Sequence, residues 1–242
     1  MIKVDQVRRV IETIYFRPGE AKERVYIFTD SAFMKEAANS LLKVLEEPPE
    51  YASLILLTTN AGELLPTIRS RCITFALNAL PVTELESVIA DSRIELKSVQ
   101  RALIARLANG AMGRALNFKL DEYVEARGDA LAILRHAISG SDHSELFKVT
   151  EGYRAGAEGR DKTDRLVHTL YALLEDLLML KSGMPELVRN IDIQGELGRM
   201  AQSVDFDWIA TASQRLGEVE RGMRRNLLRS LSLDALATSL ER

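Results

Sequence analysis

Apolar positions change their period near residue 80. Before it, Val4, Val7, Val10, Ile11 and Ile14 recur at helical spacing, and Arg17-Pro18-Gly19 closes that helix. Val25-Tyr26-Ile27-Phe28 is a short apolar run of β-formers and predicts a buried strand. Ala38, Leu41, Leu42 and Leu45 share one face of a helix over 35–45. Glu46-Glu47-Pro48-Pro49 ends it, because proline lacks the amide donor and disfavours helical backbone in the residue before it. Leu54–Thr58 predicts a second buried strand, Glu63–Ile68 a short helix, and Cys72–Phe75 a third strand. Strand, helix, strand, helix, strand implies a parallel sheet with right-handed crossovers.

Beyond Pro81 the pattern is helical throughout. Thr83 and Glu86 have the spacing of a capping box. A helix over Leu96–Ala108 stops at Asn109-Gly110, another starts near Arg114, and this small helical segment runs to about residue 122. From about Glu125 the helices lengthen. Asp142 and Glu145 read as a second cap, and Gly152–Arg160 as a loop. Leu166, Leu170, Leu173, Leu174 and Leu177 form one stripe, ended by Gly183 and Pro185. Trp208, Ile209, Ala212, Leu216 and Val219 form another, and Leu227, Leu228, Leu231 and Leu236 a last one. These stripes predict core or subunit-interface packing rather than a cofactor box. The expected division is 1–78 (α/β), 79–124 (small, helical) and 125–242 (larger, helical).

With 242 residues, 46% hydrophobic and 28% charged, the chain has the balance of a globular protein of one or two domains, not of a disordered one. No run approaches the roughly 18–20 apolar residues of a membrane helix, and Met1-Ile2-Lys3 leads straight into an amphipathic helix rather than a secretory leader. A single cysteine excludes an internal disulfide and a CxxC zinc module, so a reducing, cytoplasmic setting is expected, with no membrane partner. Net charge is −3, from 32 basic and 35 acidic residues, and aromatics are 6%. Nucleic acid, if a partner, is therefore touched locally or through a larger assembly, not on a base-stacking platform.

The phosphate-cradling GxxxxGK[ST] loop is absent. Gly110 and Gly113, like Gly156 and Gly159, lack the lysine and hydroxyl that should follow. The strand at Val25–Phe28 runs into Thr29-Asp30-Ser31, where an active nucleotide hydrolase carries two adjacent acids, one for magnesium and one for the attacking water. Only Asp30 is acidic. It is half of that equipment, or else the cap of the next helix. No motif pairs Cys72 with His136, His143 or His168 for nucleophilic or metal chemistry, and no metal site is expected.

The densest pattern is Leu41-Leu42-Lys43-Val44-Leu45-Glu46-Glu47-Pro48-Pro49, then Thr58-Thr59-Asn60, then Ser70-Arg71-Cys72. It resembles the AAA+ clamp-loader family of bacterial DNA polymerase III, and is nearer its non-hydrolysing branch than its ATPase subunits. The resemblance implies an α/β plus all-α fold: part of an AAA+ P-loop-NTPase-like domain with a parallel sheet (1–78), a small helical lid (79–124) and a C-terminal helical collar (125–242) that joins subunits. It enters the family's pattern at the helix before the second acidic strand. The P-loop part, and any zinc module with it, is therefore expected upstream of these residues. By the same resemblance Arg71 is an arginine finger acting in trans, supported by Ser70 and Cys72. Asp30 and Thr59 are vestiges of a nucleotide site, and no cofactor is expected. The lid arginine expected at the third position after Gly110 is replaced by Gly113, with Arg114 about 100° further round the helix.

The implied function is that of a subunit which helps a neighbour hydrolyse ATP without doing so itself. The implied partners are the gamma/tau and delta subunits, and, through the assembly, the sliding clamp and primer–template DNA. The alternatives are part of a gamma/tau-like ATPase subunit, or another AAA+ machine. Lys43 reads either as DNA-facing or as a solvated lysine. Arg221, Arg224, Arg225 and Arg229 read as a phosphate contact or as the polar face of a packing helix. A sheet short of strands is expected to bare apolar surface around Val25–Phe28 and to dimerise, aggregate or loosen locally.

Overall fold

The computed structural model describes residues 1–140, 143–153, 158–224 and 229–240. Its backbone divides into two compact units, Met1–Leu77 and Asn78–Arg242.

The first unit opens with α1 (Val4–Ile14), which buries Val7 and Ile14. β1 (Arg24–Phe28) pairs in parallel with β2 (Ala52–Leu56), Tyr26 opposite Leu54 and Phe28 opposite Leu56. Between them runs α2 (Lys35–Glu46), which buries Ala37, Ala38, Leu41 and Val44. Because strand side chains alternate, Tyr26, Phe28, Leu54 and Leu56 pack with α1 and α2 residues in one core. Val25 and Ile27, on the other face, remain 50% and 59% exposed, so these strands are half-covered rather than buried on both faces as expected. A 3-10 turn (Ala61–Glu63) and the short α3 (Pro66–Arg69) follow.

The third strand does not form. Residues 73–77 have no ladder, and Ile73, Phe75 and Leu77 are 84%, 83% and 95% exposed. Their alternation is a strand's, but a strand exists only when its N–H and C=O groups find a partner ladder. None is offered among the described residues, and the sheet has two strands.

The second unit is helical. α4 (Val82–Ser92), α5 (Ser98–Leu107) and α6 (Met112–Leu116) close around Leu85, Ile89, Ile104 and Ala115. The expected Thr83 cap is not made. Pro81, its φ set by its ring, takes the N-cap position, so Thr83 falls inside the first turn. α7 (Leu120–Ser139) begins five residues before the expected start at Glu125. It contributes Leu120 to this small core and Ala130, Ile133 and Leu134 to a larger one.

The larger core is organised on α9 (Glu158–Lys181), whose stripe of Leu166, Leu170, Leu173, Leu174 and Leu177 is buried. α7, α10 (Gln194–Ser203) and α11 (Phe206–Arg224) pack against it. α12 (Arg229–Ser239) lies on α7, α8 (His143–Glu151) and α11. Trp208 anchors the end, its indole N–H donating to the Leu240 carbonyl at 3.0 Å. α9 starts within the expected 152–160 loop. Asp142, Leu227 and Leu228 lie outside the described residues, as do the side chains of Glu145 and Leu231. No described helix is long and apolar enough to cross a membrane.

Candidate functional site

α2 ends where Pro48-Pro49 forbid its continuation, which leaves Glu46 as its last residue. α3 begins on Pro66, a residue pre-set for a first helical position, and stops after one turn. Arg71 follows, its amide donating to the Ile68 carbonyl at 3.0 Å. The two helix ends face one another across its side chain. Nε of Arg71 donates to Glu46 Oε1 at 2.9 Å and Nη2 donates to the same oxygen. Nη1 donates to the Thr67 carbonyl at 2.8 Å and to Ser70 Oγ at 3.3 Å. The Ser70 hydroxyl in turn donates to Thr67 O at 3.2 Å. The Arg71 side chain keeps 32% of its surface exposed and Glu46 keeps 50%. The result is a permanently charged, planar donor group fixed at the surface. Cys72 is half-buried, and burial pushes its thiol up, away from the reactive thiolate.

The other candidate residues lie apart from this pair. Asp30 accepts the Ala32 N–H at 2.8 Å and the Met1 ammonium at 2.5 Å. The ammonium first, then the backbone N–H, hold its carboxyl below the usual range. It does not cap α2, whose N-cap is Met34. Thr59 is exposed in the turn after β2. Its neighbours shape that turn, with Asn60 Oδ1 taking the Gly62 N–H at 2.9 Å. Among the described residues no hydrogen bond or ion pair joins Asp30, Thr59 and Arg71. Lys43 is exposed on α2, and Arg221 on α11. Arg225 and the side chains of Arg224 and Arg229 lie outside the described residues.

In the second unit Arg114 is exposed on α6. It lines a cavity of about 740 Å³ with Lys119, Glu122, Arg165, Glu175 and Arg189. Five of these six groups pair with one another. Lys119 and Arg165 hold Glu122 at 2.8 and 3.2 Å, and Arg189 pairs with Glu175.

Residues 1–81 match the family model described as DNA polymerase III, delta subunit. The gamma subunit of DNA polymerase III from Buchnera aphidicola (Schizaphis graminum) is 33% identical over 120 residues, 48% of this chain and 33% of that one. The delta' subunit from Escherichia coli is 34% identical over 203 residues, 82% of this chain and 57% of that one. This chain is a relative of the DNA polymerase III clamp-loader subunits. A solved gamma-subunit-related protein from Thermotoga maritima aligns over 99% of this chain and 79% of its own, at 19% identity and a TM-score of 0.46. The chain spans less than two thirds of the length of the curated relatives it matches. Its first unit is a partial AAA+-like α/β domain with a two-stranded parallel sheet.

The contiguous Ser70-Arg71-Cys72 run directs attention to Arg71, but not to its partner. Glu46 was legible only as the end of a helix. The available signal was an acid at a helix C-terminus, where the macrodipole disfavours negative charge unless a cation offsets it.

Proposed function

We propose that this chain is a delta-prime-type subunit of the bacterial sliding-clamp loader, one that donates Arg71 in trans to the ATP site of a neighbouring subunit without itself hydrolysing ATP. The observation that carries the reading is the exposed Arg71 guanidinium, held at the junction of two helix ends and flanked by Ser70 and Cys72. An always-charged fork of donors suits the charge that develops on a transferring phosphoryl group, and such fingers are worth roughly 10³–10⁵ in rate. Two features support a non-hydrolysing subunit. The strand end carries Asp30 followed by Ser31 instead of a second acid, and Gly113 stands where the lid's arginine would be. Similarity to an E. coli delta' subunit over 82% of this chain supports the same branch.

In this reading 79–124 is the lid and 125–242 the collar. The partners are gamma/tau and delta, with the clamp and primer–template DNA reached through the assembly. The second reading, part of a gamma/tau-like ATPase, is favoured by the 33% identity to gamma and tau subunits. A reconstituted loader separates them. With R71A in the full-length subunit, DNA- and clamp-stimulated ATPase should fall by one or more orders of magnitude with assembly intact. An unchanged rate would reject the finger, and intrinsic hydrolysis by the isolated full-length subunit would favour the ATPase reading.

A further inference from the structure

We infer that Glu46 is the positioning residue of Arg71, setting the guanidinium in the orientation from which it serves the neighbouring site. The inference rests on the finger reading above. Two flanks of the guanidinium are pinned by different elements. Nε and Nη2 converge on one carboxylate oxygen at the end of α2, while Nη1 is taken by the Thr67 carbonyl and Ser70 hydroxyl at the end of α3. Among the described residues one Nη2 hydrogen is left without a partner. That hydrogen is the donor available to an oxygen outside the chain.

An arginine on a free surface loses rotamer freedom when it docks. Here that freedom is already restricted, so the donor is offered with its direction set. The placement of Glu46 has no comparable packing role. It is half-exposed and ends its helix, where its charge is unfavourable without Arg71. The sequence separation of 25 residues means that only the fold of the first unit brings the pair together.

The test uses the full-length subunit in a reconstituted loader at saturating ATP, with R71A as reference. E46A should lower kcat by up to about 100-fold, the cost that a misplacement of about 1 Å can carry. KM for ATP, assembly and the thermal midpoint of the subunit should not move. E46Q keeps an oxygen acceptor at the same position and should recover most of the rate. A merely structural role would instead move assembly or the midpoint and leave kcat of the assembled loader intact. If E46A does not assemble, E46D carries the test, since its carboxylate is one methylene too short to hold Nε and should also lower kcat. Wild-type kcat in E46A or E46D beside a defective R71A overturns the positioning role and leaves the finger standing. A raised kcat also overturns it, because Glu46 would then be a competitor for Arg71. Wild-type kcat in R71A itself rejects the finger, and the inference with it.

Discussion

Arg127 and Asp192 meet in a two-bond fork, Nη1 to Oδ1 at 2.7 Å and Nη2 to Oδ2 at 2.6 Å, with the arginine side chain 8% exposed. The fork belongs to a larger buried network. Asn190 Oδ1 takes hydrogen bonds from Arg127 Nη1 at 3.0 Å and from the Tyr123 hydroxyl at 2.7 Å. Asp176 is itself buried and accepts from the Asn190 side chain and from the Arg189 and Asn190 amides. Arg106 on α5 adds bonds to the Glu186 and Val188 carbonyls at 2.8 and 3.1 Å. Helices of the small core and the turns before α10 are thereby tied to one polar cluster.

Removing one partner of such a pair leaves a charge buried without compensation, which costs about 3–5 kcal/mol. R127M, which keeps most of the volume, should therefore destabilise the second unit by about 3 kcal/mol in urea unfolding. R127M combined with D192N should cost less than the sum of the two single changes. Simple additivity would mean that the fork contributes nothing of its own.

Two tyrosines, Tyr123 of this cluster and Tyr153 outside it, make stability depend on alkaline pH. Burial pushes the Tyr123 hydroxyl up to about 12, against smaller lowering contributions from its bond to Asn190 and from the Arg127 charge. Tyr153 donates to Asp129 at 2.5 Å and is pushed upward by burial first, then by that carboxylate. An unfolded tyrosine loses its proton near 10. Above that pH the unfolded chain binds fewer protons than the folded one, so stability falls as pH rises. The contribution is complete below about pH 10 and, for Tyr123, is lost as pH rises through about 12. Urea midpoints should fall across that window. Y123F should start lower and fall less steeply; an identical slope would locate the titration elsewhere.

Local pattern was a good guide where local chemistry decides the outcome. The prolines after α2 placed that helix within a residue of where it lies, and the apolar spacing found α1, which stops at Ile14, ahead of Arg17-Pro18-Gly19. It failed where a distant partner decides. Residues 73–77 have a strand's alternation and no strand's neighbour. Thr83 and Glu86 have a cap's spacing, but Pro81 starts the helix first. Arg71 was legible because its motif is contiguous. Glu46 and the Asp176–Asn190–Arg127 cluster were not, because their members meet only after α2 and α3, or α7 and α9, have been set in place.

Gly110 is required by both conformation and space. Its φ is +78°, and a Cβ there would lie 2.4 Å from Ala79 Cβ and 2.9 Å from the Leu80 nitrogen. Its carbonyl accepts the Leu80 N–H at 3.0 Å, so the turn after α5 is closed against the start of the second unit. G110A should cost about 2 kcal/mol or more. Gly113 has open space around it and sits within α6, so G113A should instead be neutral or stabilise by about 0.5–1 kcal/mol. Thermal unfolding of the two variants side by side checks the contrast. Equal midpoints would mean that the turn shifts to accommodate the methyl group.

The bare face of the sheet carries the last prediction. Val25 and Ile27 on β1, Ile55 on β2 and Leu57 just beyond it are between 44% and 59% exposed, while their alternating neighbours are packed under α1 and α2. Apolar surface costs about 25 cal/mol per Å² left in water, so a contiguous strip on parallel strands favours self-association. The 242-residue chain should therefore associate with rising concentration in sedimentation velocity and bind a hydrophobic dye. Replacing Val25 and Ile27 with threonine and lysine should suppress both, since the change removes apolar area and sets a charge on the face. The folded unit should survive, because neither side chain contributes to the buried core. Association unchanged in the double variant would move the sticky surface to the other exposed apolar strip, Ile73, Phe75 and Leu77. A charge at Phe75 would then be the change that abolishes it.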